Sequence, residues 1–402
     1  MRFFSEALLH HPRSAGTRDG AASTRPDAVC LVSNPDSIKA EWDALFARSN
    51  ASAYQSFDFY SACLDTLEQG VGASPFIIAF RAPCGRLRGL LPLVRRRRAG
   101  VTALEFCGGA HSNFNMPIGD DDPANPILSL GPFDWRDIVR TLDAGIDLLN
   151  FSNIPAIWSG ARIALAGNGA HDAPDIACAM DIHPGNDAIR ANVSAKRVKQ
   201  YRRNIRRLAE IGEARFVQNT TPELNALILQ AFLEQKSKQF SVRGHFNPFA
   251  DKRCVDFLNR LSATADARDT RRLLFHALQL DGEVVATLGM LKQGATGAIM
   301  VMSMTANPFL ARLSPGETLL MNVIEWCGQQ RLNFLDFGVG GDAYKERVCQ
   351  HMIPMRECHI GLTYRGELHA RAARIASAGK RMIKQNPALL EPARRMQALL
   401  AG

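Results

Sequence analysis

Twice along the chain, two amphipathic helical stretches run into a hairpin of long apolar strands. That repeated order limits the fold more than any single motif does. In the second half the hairpin reads RRLLFHALQL, Asp281-Gly282, EVVATLGMLKQ. Asp-Gly is a strong two-residue turn, because such turns need positive φ, which Gly supplies freely and Asp tolerates. Ahead of the hairpin, Pro222 to Gln239 sets Leu224, Leu227, Ile228, Ala231 and Phe232 at helical spacing, and Asp251 to Leu261 reads as a second helix. Behind it follow the strand GAIMVMSMTA, a helix over Gly316 to Gln330, the strand NFLDFG and the strand MRECHIGLTY.

The first half has the same order without worthwhile sequence identity. Asn34-Pro35-Asp36 starts a helix with Ile38, Trp42, Leu45 and Phe46 inward, and Phe57 to Leu67 gives another. PFIIAFRA, the turn Pro83-Cys84-Gly85 and RLRGLLPLVRRRR form the hairpin. VTALEFCGG is a strand, Trp135 to Leu149 a helix, and DIACAMDI a strand. The pattern predicts an α/β (α+β) protein of two tandem domains, 28–185 and 213–366, each with its own mixed, mostly antiparallel sheet flanked by helices.

Between the halves, residues 186–212 hold a basic linker helix. Val198, Tyr201, Ile205 and Leu208 make its apolar stripe. Lys196, Arg197, Lys199, Arg202, Arg203, Arg206 and Arg207 fill the other positions, with no acid before Glu210. Two readings stay open: a packed linker with a solvated basic face, or a face that meets an anionic partner. The tail, 367–402, is basic and helical (Arg371, Arg374, Lys380, Arg381, Lys384, Arg394, Arg395), and suits packing on the body or contact with an anionic membrane surface.

A net charge of +9 points to anionic partners of some kind. The basic run lacks interleaved aromatics beyond Tyr201, so specific nucleic-acid binding is not expected. Nine cysteines and ten histidines are scattered without a C-x-x-C pair, which fits free thiols and leads to the expectation of no metal. No apolar run nears the ~18 residues needed to cross a bilayer. Residues 1–27 read as a disordered leader, and a cytoplasmic location is expected.

The stretch LDFGVGGDAYKERV, Leu335 to Val348, resembles a nucleotide loop but fails on spacing. Its glycines, Gly338, Gly340 and Gly341, do not fit G-x-G-x-x-G, and Tyr344-Lys345-Glu346 is no Walker lysine. What remains is a strand through Asp336, a flexible turn, and a short helix carrying Tyr344 and Lys345. Upstream, Arg312 precedes Ser314-Pro315-Gly316 at the start of a helix. Pro at the first helical position beside Gly leaves backbone N–H groups to meet an anion at the positive end of the helix dipole.

The order strand, R-x-S-P-G-x-x-L, helix, F-x-D-F-G-x-G, Y-K resembles the GNAT acetyltransferases over residues 35 to 365. More closely it is similar to the cellulose-biosynthesis-type (CelD/BcsL) and BioF2-like branch, related in fold to Fem-type aminoacyl-ligases. Gly89 to Val94, His111 to Pro117 and the basic helix share in the likeness. The resemblance implies two tandem GNAT-like domains, the second binding acetyl-CoA or another acyl-CoA. Arg312, Ser314, Pro315, Gly316, Glu317 and Thr318 would form its pyrophosphate turn. Only Gly316 fits a glycine position of the superfamily's Q/R-x-x-G-x-G/A loop, and Ser314 replaces the other.

The resemblance also implies an acyltransferase acting on an amine or hydroxyl of a polar acceptor, a small molecule or glycan, as in polysaccharide biosynthesis. Alternatives are Fem-type transfer from aminoacyl-tRNA and a non-catalytic binding protein of this fold. Lys345 would meet a phosphate or the developing oxyanion, with Tyr344 beside it. Asp336, Asp342, Glu317 and a histidine are all open as the base. His276, in mid-strand, reads as a core histidine, whereas His111, Asn113 and Asn115, with Asp342, are the candidates to bind the acceptor.

Overall fold

The computed structural model describes residues 28–386 except 121, 123–124, 186, 244–246, 264–271 and 342. The proposed leader, Asp342, Arg394 and Arg395 therefore lie outside the described residues. The first half runs β1 (Ala28–Val32), α1 (Lys39–Ala47), α2 (Phe57–Asp65), β2 (Ala73–Arg81), β3 (Leu87–Arg98) and β4 (Val101–Phe106). It continues with β5 (Ile118–Gly119), α3 (Pro126–Ser129), α4 (Pro132–Leu142), β6 (Leu148–Pro155), the small hairpin β7 (Ile157–Trp158) and β8 (Ala161–Arg162), and β9 (His171–Asp181).

The linking region holds α5 (Ala188–Asn192) and α6 (Ala195–Ala209). The second half runs β10 (Ala214–Gln218), α7 (Pro222–Arg243), α8 (Lys252–Ala263), β11 (Leu273–Leu280), β12 (Glu283–Gln293) and β13 (Thr296–Met304). Then come α9 (Pro308–Ala311), α10 (Pro315–Gln329), β14 (Phe334–Val339), α11 (Ala343–Glu346), β15 (His351–Gly361) and α12 (Tyr364–Gln385).

The mixed, mostly antiparallel sheet flanked by helices is as the sequence pattern predicts. The expectation of a separate sheet in each half needs correction. The main strands join in the order β1-β2-β3-β4-β6-β15-β9-β14-β13-β12-β11-β10. β9, from the first half, pairs with β14 of the second, while β15, from the second, pairs with β6 of the first. The two exchanged strands lie side by side, His351 opposite Ala179 and Glu357 opposite His171. Each half also has one parallel pair: β4 with β6, and β13 with β14.

Local chemistry explains the elements. At the β11–β12 turn, Asp281 and Gly282 have φ of 50° and 85°, the values the Asp-Gly signal requires. The Ser56 hydroxyl accepts from the Phe59 N–H at 3.2 Å and caps α2. Trp42, Leu45 and Phe46 of α1 are buried in a core that both halves share, with Phe232 and Phe257 among its members, and Leu319, Leu320, Val323, Ile324 and Cys327 of α10 in a core made mostly by the second half. The predicted helix through Leu149 ends early, at Leu142, and Leu148–Pro155 is strand β6 instead. Its partners, β4 and β15, come from distant parts of the chain, so local periodicity could not reveal it.

The basic helix α6 buries Val198, Asn204 and Leu208, with Tyr201 half-buried. Arg197 finds a counter-ion the sequence did not suggest, Glu317 of α10, at 2.6 Å. The described part of the tail, α12, packs on β15 and β9. Gly366 lies against Asp147, so that a Cβ there would stand 1.7 Å from the Asp147 carbonyl oxygen. Among the described residues, no helix is long and apolar enough to cross a membrane.

This close approach predicts that Gly366→Ala costs about 3 kcal/mol of stability, since backbone cannot yield as a side chain does. Gly379→Ala, whose Cβ would meet nothing within 4 Å, is expected to be neutral or to gain up to ~1 kcal/mol. Urea denaturation midpoints of the two variants check the pair.

Candidate active site

β13 and β14 pair only from Thr296–Phe334 to Ala298–Asp336. β13 then continues along β12 as far as Met304, while β14 bulges against β9 between Asp336 and Val339. Gly338, at φ 75°, makes this bulge possible. Its missing Cβ also admits Asn113, whose Nδ2 would lie 2.7 Å from such an atom. The parallel pair thus opens at Asp336. The first turn of α10 stands at the far end of the opening, with Gly316 packed beside Met304.

Asp336 is 1% exposed. Its Oδ1 accepts from the Gly338 N–H at 2.5 Å, and its Oδ2 is buried without a hydrogen-bond partner among the described residues. Burial lifts this carboxyl from its ordinary 3.8 to about 8, against the opposing pull of the Gly338 N–H and the Lys345 charge. Lys345 is also buried, and its Nζ donates to the Val339 carbonyl at 3.2 Å. Tyr54 comes from the first half. Its hydroxyl accepts from Asn113 Nδ2 at 2.8 Å, and burial, then the Asp336 charge, raises its pKa well above 10.0. Cys349 lies at the same place, its thiol pushed to about 12 chiefly by burial.

The structure thus brings together Asp336, Lys345 and Asn113 of the residues singled out from sequence. Tyr344 is half-buried and packs on the second-half core. Asn115 is spent on the fold: its Oδ1 accepts from Ser112 and its Nδ2 donates to the Ser152 carbonyl. His111 faces α8, with Nε2 3.1 Å from Cys254 Sγ and its ring 5.7 Å from that of Phe257. Burial lowers its pKa. His276 is buried, as a core histidine should be, and held near 4 by burial. Tyr54 escaped notice because no local motif marks it; only folding brings it to Asp336.

At the turn before α10, Ser314 adopts φ 53°, and its carbonyl accepts from both the N–H and the Oγ1 of Thr318 at 3.0 Å. Thr318 therefore shapes the turn, and Glu317 is neutralised by Arg197. Pro315 has no N–H, and Arg312 is exposed. What the turn offers an anion is the first-turn backbone of a buried helix with a solvated arginine beside it. A separate groove of about 1020 Å³ lies along α6, lined by Arg190, Val193, Lys199, Tyr201, Arg202 and Arg206 among others. It shares no residue with the Asp336 cluster.

Residues 195–346 match the family model for an acetyltransferase (GNAT) domain. The match takes in α6, the α10 turn, Asp336 and Lys345, and stops short of the first half. No curated protein matches the sequence. Among solved structures, FemX is similar with a TM-score of 0.57 at 9% identity, covering 80% of this chain and 96% of that one. A conserved protein of unknown function from Bacteroides thetaiotaomicron is similar at 0.53 and 11%, covering 83% and 100%. The C-terminal DUF2156 domain of a candidate lysylphosphatidylglycerol synthetase from Agrobacterium fabrum is similar at 0.50 and 12%, covering 86% and 96%. At such identities the likeness is one of fold. It extends to the first half, which the family model leaves out.

The raised carboxyl makes a signed prediction. Between pH ~4 and about 8 the unfolded chain ionises at Asp336 while the folded chain keeps its proton, so this group's stabilising contribution is lost as pH rises. Thermal unfolding of wild type and Asp336→Asn across that window checks it. Wild-type Tm is expected to fall relative to the variant from pH 4 to 8, and to run parallel above.

Proposed function

We propose that this protein is an acyltransferase that moves an acetyl or other acyl group from acyl-CoA to an amine or hydroxyl of a polar, carbohydrate-type acceptor. The observation that carries this reading is the opening of β14 from β13 at a buried Asp336–Lys345 pair, inside the matched domain. Coenzyme pantetheine would lie in that opening, with its pyrophosphate at the α10 turn.

The proposed chemistry follows from a buried ammonium and a buried carboxyl of raised pKa. The acceptor nitrogen or oxygen attacks the thioester carbonyl carbon, and negative charge grows on the carbonyl oxygen, where the Lys345 ammonium stabilises it. Asp336 Oδ2, in the ionised form that prevails above about pH 8, takes the acceptor proton, directly or through a water. The C–S bond breaks, and the proton passes on to the departing sulfur. A carboxyl near 8 suits this task, because a cysteine-type thiol titrates at about 8.5 and the transfer costs little. Tyr54 and Asn113 position this end of the site from the first half.

Fem-type transfer from aminoacyl-tRNA is the second reading. The exposed Arg202, Arg203 and Arg206 of α6 favour it, since they could meet phosphates, and so does the fold shared with FemX. A peripheral membrane contact is also proposed. α12 exposes Tyr364, Leu368, Ile375 and Met382 along one stripe, beside Arg365 and Arg371.

Two experiments test the main reading. In calorimetry, folded Gly316→Val is expected to lose at least tenfold in acetyl-CoA affinity, because the added side chain blocks backbone approach; unchanged affinity puts the pyrophosphate elsewhere. Lys345→Ala is expected to lower turnover by roughly 10²-fold in steady-state kinetics while CoA binding survives. Melting shifts with acyl-CoA, free CoA and aminoacyl-tRNA separate the two donors. Stabilisation by aminoacyl-tRNA alone supports the second reading, and by none of them a non-catalytic role.

A further inference from the structure

Away from Asp336, three metal-binding side chains converge where the exchanged strands meet. His171 projects from β9, and Glu357 and His359 project from one face of β15, with Glu357 directly opposite His171. Glu357 Oε2 lies 3.7 Å from His171 Nε2 and 3.5 Å from His359 Nε2, and the three residues each offer a ligand atom within 4.8 Å of the other two. Zinc with bonds of about 2.1 Å has tetrahedral ligand–ligand edges of about 3.4 Å, so both imidazole–carboxylate separations are close to that spacing.

The hydrogen bonds around the cluster define what faces its centre. Glu105 Oε1 accepts from Asn150 Nδ2 at 2.6 Å, which turns the Asn150 Oδ1 toward His359. His359 Nδ1 then donates to that oxygen at 2.8 Å, leaving Nε2 directed at Glu357. Ser377 of α12 donates to Glu357 Oε2 at 2.5 Å and holds the carboxylate in place. His171 Nε2 is buried without a hydrogen-bond partner among the described residues. His359 Nε2 and His171 Nε2 thus both face the Glu357 carboxylate, at 3.5 and 3.7 Å, too far for a good hydrogen bond and close to the spacing of ligands around one metal ion. Two nearby guanidinium groups oppose a cation, but both are paired: Arg374 with Glu367 and Arg356 with Asp172.

We propose that His171, Glu357 and His359 bind one divalent transition-metal ion, Zn²⁺ by donor type, with water as fourth ligand. The ion would clasp β9 to β15 and so lock the exchange that joins the two halves. Its spacing in sequence hides the set, because His171 and the Glu357–His359 pair come from opposite halves of the chain.

The test uses the full chain without an affinity tag, stripped with chelator and titrated with Zn²⁺ alone. One ion per chain is expected by calorimetry, with a rise in Tm of several degrees. Co²⁺ in the same site is expected to give the visible absorption of a tetrahedral centre. His171→Gln and His359→Gln should each weaken Zn²⁺ affinity by tenfold or more. His171, the more exposed of the two, provides a folded variant if His359→Gln does not fold. No saturable binding, or equal binding in folded His171→Gln, overturns the proposal.

Discussion

The pairing of β9 with β14 and of β15 with β6 is the constraint on which the rest of the structure depends. Without it, each half would end in an open sheet edge of unpaired N–H and C=O groups. With it, β14 has a partner on its far side and can leave β13 at Asp336 without unravelling. Beyond the bulge, Val339 still pairs with Ala177, and the Gly340 N–H still reaches the Ile176 carbonyl at 2.8 Å. The opening in the second half is thus held by a strand of the first. Tyr54 and Asn113 reach Asp336 by the same association of halves.

The candidate site holds a carboxyl where a carboxyl is costly. Burying an ionised group without full compensation is expensive, and the cheaper outcome is to keep its proton. Asp336 receives one backbone N–H and the field of Lys345, enough to keep it within reach of ionisation but not to restore an ordinary carboxylate. Unsatisfied polarity of this kind tends to gather where chemistry needs a tuned proton acceptor. The α10 turn differs in kind, since its internal needs are met by Ser314, Thr318 and the Arg197–Glu317 pair.

The sequence revealed most where structure is local. The hairpins, the α10 stripe and the position of Lys345 after a glycine turn could be read from spacing alone. The first two residues of strand β6 fall in the predicted helix and the rest has no assignment, because LLNFSNIP carries no clear period and its partners lie elsewhere in the chain. The strand exchange was invisible for the same reason. Asp336 and Lys345 were each legible as candidates, though not as neighbours, and Tyr54 was not legible at all, since only the first half folding onto the second brings it there. Asn113 and Asn115 looked alike in HSNFN, yet backbone geometry aims only Asn113 at Gly338 and uses Asn115 to hold Ser112 and Ser152.

Amide hydrogen exchange with and without coenzyme A tests most directly whether the opened β13–β14 pair is the donor site. If it is, the ligand slows exchange in two separate segments, Arg312 to Thr318 at the start of α10 and Gly338 to Gly340 at the bulge, and leaves α6 unchanged. Protection confined to the α6 groove, or none in either segment, would contradict it.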